Sequence, residues 1–258
     1  MKKGFTLVEV VLTLSIIGVI AATTIPTMIH YTNKKATIEQ LKKSAATLNQ
    51  AIYNATITNG ELNTWSWQTD DGIFNIMQNV ITPRLNVGYM CSGSTGTNSH
   101  CVYKIQTLGG NEEDIDKAFI AKTRVLLNDG SLVAFTDASS FLSPDSSEGD
   151  DGDDDSIDKP TNSVCNWGGN PKTLCGVFMV DVNGNKKPNM VGKDIFYYGV
   201  YLSGTVLPYG ANEGDEFIEQ NCTTGSSGTT CAAKITRNGW DVCYSNCGDN
   251  ESPYPVRF

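Results

Sequence analysis

From Phe5 to Ala22 the chain is an almost unbroken run of apolar residues containing a single carboxylate, Glu9. Wound as a helix, this run is about 27 Å long, enough to span a hydrocarbon core with little tilt. Beyond Pro26 the pattern changes. Ile38, Leu41, Ala45, Leu48, Ile52 and Ala55 recur at spacings of three and four, drawing one apolar stripe along a helix whose other face is polar. Such a stripe needs a sheet to cover. Asn59-Gly60 supplies a stop, so the whole helix is predicted to reach about 80 Å, far beyond an ordinary globular helix. Pro26 lies in its middle, lacks a donor, and is expected to kink or locally melt it.

Downstream the periods shorten. Asp70-Asp71 can cap a short helix carrying Ile73, Phe74, Ile76, Met77, Val80 and Ile81, which Pro83 would end. Trp65 and Trp67 just before it read as packing or loop aromatics, and a second short helix is expected after Asn111, through Ile115 and Phe119. Strand signals begin at Thr123: Val125-Leu126-Leu127, the turn Asn128-Asp129-Gly130, then Leu132-Val133-Ala134-Phe135 form a predicted hairpin. Val177 to Val180 and Ile195 to Leu207 extend it, with Gly199 or Gly204 marking a bend, to an antiparallel meander of about four strands. Ser143 to Ser163 is dense in Asp, Ser and Gly, a low-complexity insertion that cannot build a core. After Pro208 the chain is rich in turn residues and cysteine, an irregular tail expected to be held by disulfides.

At 258 residues the chain can bury one substantial core, and 40% hydrophobic with 18% charged residues fits one globular domain plus a membrane segment. Its net charge is −9, and losing Lys2 and Lys3 would make it −11. A surface of that sign repels phosphate backbones, so nucleic acid is not expected as a partner. The eight cysteines fall in close couples: Cys91 and Cys101, Cys165 and Cys175, Cys222 and Cys231, Cys243 and Cys247. Together with an export signal they point to an oxidising compartment. Local pairing is one solution among roughly a hundred. The chief alternative nests the last four as Cys222 with Cys247 and Cys231 with Cys243. Zinc is disfavoured because only His30 and His100 are present and no paired CxxC occurs.

Glu9 is the costly residue. A carboxylate near the centre of a bilayer costs about 2.5–3.5 kcal/mol, so it calls for a dedicated partner. A cut between Gly4 and Phe5 would create that partner, since the new ammonium of one copy can meet Glu9 of a staggered neighbour and each neutralises the other. A secretory signal peptide or a plain single-pass anchor shares the hydropathy but explains neither Glu9 nor Gly4-Phe5. Gly4, Phe5, Glu9 and Pro26 together resemble the N-terminus of type IV prepilins and type II secretion pseudopilins. The resemblance covers about a tenth of the chain. It implies cleavage after Gly4 by prepilin peptidase, methylation of the Phe5 amine, and an assembly role for Glu9. It also implies pilin-like partner subunits, a platform protein and an assembly ATPase. The head would sit outside a bacterial inner membrane, with the N-terminus cytoplasmic, as Lys2 and Lys3 also favour.

Asp181-Val182-Asn183-Gly184-Asn185, with Gly192-Lys193-Asp194 after it, offers oxygen ligands beside a Gly-rich turn. Asp181, Asn183 and Asp194 can converge on a hard cation such as calcium. The spacing is not that of an EF-hand, and the plainer reading is a tight strand connection using Asn and Gly for left-handed backbone. Major pseudopilins of type II secretion bind calcium in a comparable region, and the match to their ligands is loose. The run Asp150 to Asp155 is a second oxygen-rich stretch, more simply read as a solvated loop. For catalysis the inventory is poor. Neither histidine stands in a nucleophile motif, and GxSxG, HExxH and phosphate-loop patterns are absent, so no enzyme is expected.

The expected fold is therefore α+β and pilin-like: a long N-terminal helix packed on an antiparallel sheet, with a disulfide-rich irregular C-terminal segment. The predicted parts are a leader at 1–4, a membrane or filament-core half-helix at 5–25, and an amphipathic half-helix at 26–58. A connecting region follows at 59–122, then the sheet at 123–207 with its acidic insertion, then the Cys-rich tail at 208–258. The expected function is a subunit of a type IV pilus or a type II secretion pseudopilus, minor or specialised given its large head. A membrane-tethered binding module with no filament is the alternative.

Overall fold

One helix, α1 (Leu7–Asn59), takes up the whole N-terminal pattern. The computed structural model describes residues 6–67, 70–92, 101, 103–114, 123–142, 165 and 170–242. Gly4, Phe5, His100, Cys243, Cys247 and the acidic stretch 143–163 lie outside them, as do 115–122, where the second short helix was expected to run. Gly60 closes α1 at φ 83, its N–H bonded to the Thr56 carbonyl at 3.0 Å, a left-handed turn open to glycine without strain. The helix continues through Pro26. A single missing donor leaves the bonds on either side in place.

The polar half of α1 packs on a six-stranded antiparallel sheet in the order β1 (Val87–Ser92), β4 (Thr123–Leu127), β5 (Leu132–Asp137), β6 (Leu174–Asp181), β7 (Ile195–Tyr201), β8 (Val206–Pro208). Two more strands, β2 (Lys104–Gln106) and β3 (Glu112–Asp114), form a separate hairpin. The sheet is larger than the sequence led us to expect, in two places. Val87–Ser92 joins it from the region read as a connection, because this short segment with a register shift after Val87 carries no alternation of its own and becomes a strand only by pairing with β4. The stretch Ile195 to Leu207 divides into β7 and β8 at Gly204, whose φ of 79 makes the turn.

β6 and β7 are buried on both faces, which is why they read as continuous apolar runs rather than alternating ones. On one face Leu41, Leu48 and Ile52 of α1 meet Phe135, Phe178, Phe196 and Tyr198; on the other, Leu132, Ala134, Met179 and Tyr197 meet Tyr103, Ile105, Cys91 and Cys101. Trp65 and Trp67 stack at 5.9 Å inside the first of these cores. α1 also closes an edge of the sheet. The Asn49 amide accepts from the Val206 N–H at 2.9 Å and donates to the Val206 carbonyl, so β8 presents less free backbone there.

Deep in the same interface the Tyr198 hydroxyl donates to the Leu41 carbonyl at 2.9 Å. Replacing Tyr198→Phe keeps the ring and removes that bond, and is expected to cost about 1 kcal/mol. The midpoint of denaturant unfolding should fall with its slope unchanged.

Other elements depart from expectation. The helix beginning at Asp70 is α2 (Asp70–Asn75), widened into a π turn over Ile76–Ile81 and tightened into a 3-10 turn over Thr82–Arg84. Pro83 enters that last turn at its start, where its missing N–H is harmless, instead of ending the helix before it. Asn111 leads into β3. After β5 comes α3 (Ala138–Leu142), and the tail after Pro208 holds two short helices, α4 (Asp215–Asn221) and α5 (Cys231–Arg237). α5 buries Ala232, Ala233 and Ile235, so burial as well as disulfide bonding holds this region. Lys234 is 2% exposed; its Nζ lies 2.5 Å from Glu219 Oε2 and donates to the Cys222 carbonyl at 3.0 Å, compensating the buried charge. Seven-residue helices are too short to print a 3.6-residue period on the sequence.

Disulfides join Cys91 to Cys101, Cys165 to Cys175 and Cys222 to Cys231. With Cys222 bound to Cys231, the nested arrangement of the last four cysteines is not formed.

Candidate functional site

Two regions carry chemistry, one at the start of α1 and one in the sheet, between β6 and β7. The first is the start of α1. Thr6 is extended and caps the helix: Glu9 N–H donates to Thr6 Oγ1 at 3.3 Å, while the Thr6 N–H and hydroxyl both donate to Glu9 Oε2, at 2.9 and 3.0 Å. This reciprocal box satisfies donors at the helix start and gives the carboxylate a local partner inside its own chain. Around it the surface is apolar and open, with Leu7 82%, Val8 74% and Leu14 62% exposed. The hydroxyls within the run turn inward on the helix: Thr13 donates to Val10, Ser15 to Val11 and Thr24 to Ile20 carbonyls. The helix is long and apolar enough to cross a membrane.

Among the described residues Glu9 is thus the one ionisable group on this apolar, unpacked surface. Its Thr6 hydrogen bonds satisfy one oxygen and leave the charge uncancelled, so the carboxylate retains capacity for a cation from outside the subunit. Residues 1–25 match the family model described as the prokaryotic N-terminal methylation motif. The chain carries that motif. It is the signature of type IV pilin and pseudopilin precursors, which are structural subunits processed by prepilin peptidase, and it takes in Gly4, Phe5 and Glu9. No curated protein and no solved structure matches the chain.

The second region is the connection between β6 and β7. Here the fold brings Asp181, Asn183 and Asp194 together: Asn183 N–H donates to Asp181 Oδ1 at 3.2 Å and Asn183 Nδ2 donates to Asp194 Oδ2 at 3.3 Å. Asp194 also receives the main-chain N–H groups of Asn189, at 2.8 Å, and Met190, at 2.6 Å. Asp181 receives the hydroxyl of Tyr103 at 2.6 Å from beside β2. Both carboxylates are buried, Asp181 fully. Burial pushes Asp181 up to about 8 and the charge of Asp194 adds to it, against the pull of Tyr103 and the loop N–H groups. Burial likewise raises Asp194, and burial beside Asp181 raises the Tyr103 hydroxyl.

The loop is richer in acceptors than in donors. Asn183 Oδ1 and Asn189 Oδ1 are buried and have no hydrogen-bond partner. Two carboxylates and two idle amide oxygens form a donor set suited to a hard cation. Among the described residues no three His, Cys, Asp or Glu side chains gather as a metal set, so a cation here depends on amide oxygens. Tyr103 and Asn189 were not singled out as ligands from the sequence. Asn189 had a signal, since it stands within the Asn- and Gly-rich connection; Tyr103 had none, as only the tertiary fold brings its hydroxyl to Asp181.

Proposed function

We propose that the protein is a filament subunit of the type IV pilus or type II secretion pseudopilus kind. The reading is carried by one observation: a lone carboxylate, Glu9, on an exposed apolar helix directly after a prepilin-type cleavage site. In this reading prepilin peptidase cuts after Gly4 and methylates Phe5. The helix waits in the inner membrane with its N-terminus cytoplasmic, then leaves it as a platform protein and an ATPase drive assembly. Helix–lipid contact is exchanged for helix–helix contact, and the Phe5 ammonium of one subunit meets Glu9 of the next, fixing register. The head is borne outward, away from the axis. Its size, with three disulfides among the described residues and two faces of the sheet covered, favours a minor or specialised subunit over a bulk repeating one. The role is structural, and no enzymatic activity is assigned.

Cysteines placed one at a time from Ile16 to Ile20, in cells that make the whole machine, test the reading. Oxidation should give ladders of crosslinked oligomers of the mature chain beginning at Phe5, established by mass spectrometry. Monomers alone, or a chain still beginning at methionine, would instead fit a tethered binding module.

We also propose that the β6–β7 connection takes calcium through Asp181, Asp194, Asn183 and Asn189. The idle amide oxygens and the two buried carboxylates support this. Bound calcium would offset the two carboxylate charges and brace the loop.

A further inference from the structure

The chain does not leave α5 freely. After Arg237 two successive residues, Gly239 at φ 66 and Trp240 at φ 68, turn it back, and the Trp240 N–H bonds to the Ile235 carbonyl at 2.8 Å. Glycine adopts that conformation without strain; a bulky side chain such as tryptophan adopts it seldom, and such residues persist where surrounding contacts hold them. The contacts are on α1. Lys42 lies over the Trp240 ring, 5.2 Å from its centroid, and Lys34 Nζ is 2.5 Å from Asp241 Oδ1. The Val242 N–H donates to the same Asp241 oxygen at 2.9 Å, and Trp240 and Val242 both pack against the main core. Residues 240–242 thus form a strap laid across α1.

Its position along α1 gives it a consequence. Between Pro26 and Lys34 the described side chains Met28, Ile29, Tyr31, Thr32 and Asn33 are all exposed. The first fully buried residue of the apolar stripe is Leu41. Lys34 precedes it by two turns, about 10 Å. Without the strap, the head would take hold of the helix only near Leu41; with it, the hold begins at Lys34.

We propose that the Trp240–Asp241 strap is a clamp that sets where the head grips α1, and so fixes the length of free helix, including Pro26, between the membrane segment and the head. Any unwinding or bending around Pro26 is then confined to residues before Lys34, and the swing of the head is limited by a short stalk. The consequence for assembly rests on the filament reading, but the clamp itself is a property of the single subunit.

Hydrogen exchange on the full chain in detergent micelles tests it before any filament forms, so failure of the filament reading leaves the result intact. In Trp240→Ala/Asp241→Ala, amides 34–40 should exchange at least tenfold faster than in the wild type, while amides 44–56 stay within twofold. Lys34→Met/Lys42→Leu breaks the same contacts from the helix side, leaves the C-terminal segment unaltered, and should move the edge of protection equally. A rise of less than tenfold at 34–40 in either variant overturns the clamp, as does an equal rise at 44–56, which would mean general loosening of the head.

Discussion

Glu9→Ala should be cut, methylated and inserted as well as the wild type, and should all but vanish from filaments. The cleavage site proposed between Gly4 and Phe5 is upstream of the substitution, and removing a carboxylate from an apolar helix eases insertion by about 2.5–3.5 kcal/mol. Assembly is the step that suffers. A mature amine carried into the helix-packed interior would find no carboxylate, and stripping one partner from a buried pair costs about 3–5 kcal/mol. That is a factor of roughly a hundred to a few thousand against each addition. The Thr6 hydrogen bonds sharpen the expectation, because they satisfy Glu9 within the subunit without cancelling its charge. Mass spectrometry of the membrane fraction should find chains starting at Phe5, while sheared surface or periplasmic filaments should contain at most a few per cent of the wild-type amount. Filaments at the normal level would reject the pairing.

The N-terminal helix of this molecule was legible because its physics is local. A 53-residue helix prints its two regimes directly on the sequence, an all-round apolar run and then a stripe, and Glu9 stands out against the first. The hairpin at Asn128-Asp129-Gly130 was legible for the same reason. What stayed hidden is tertiary. β1 is a strand only because β4 pairs with it, and α5 owes its place to the burial of Ala232, Ala233 and Ile235 and to Lys234 finding Glu219. At the second site Asp181, Asn183 and Asp194 were visible as candidate oxygen ligands near one turn, whereas Tyr103 comes from a distant hairpin and left no pattern. The strap was likewise out of reach. Nothing in Asn238-Gly239-Trp240-Asp241 announces that it will return to Lys34 and Lys42.

The Asp181 carboxylate carries the other large expected effect, one of pH. In the unfolded chain it titrates near its ordinary 3.8, and in the fold burial raises it to about 8. Below the lower value both states are protonated and the group costs the fold nothing. Between the two the folded chain holds a proton that the unfolded chain has released, so stability falls as pH rises, by about 1.4 kcal/mol for each unit. By the upper value the loss is on the order of 5 kcal/mol. With a chelator present, the thermal midpoint of the wild type should therefore drop steeply from about pH 4 to about pH 8 relative to Asp181→Asn, which keeps the size and an acceptor for the Asn183 N–H but has no charge to bury. Calcium at about 1 mM should act in the opposite sense, because a cation held by Asp181 and Asp194 favours the ionised form; it should raise the wild-type midpoint most at the alkaline end and leave Asp181→Asn nearly unmoved. Parallel pH profiles for the two proteins would mean that Asp181 is not held protonated by burial. A wild-type midpoint indifferent to calcium at every pH would show that the idle oxygens of Asn183 and Asn189 serve the loop without a metal.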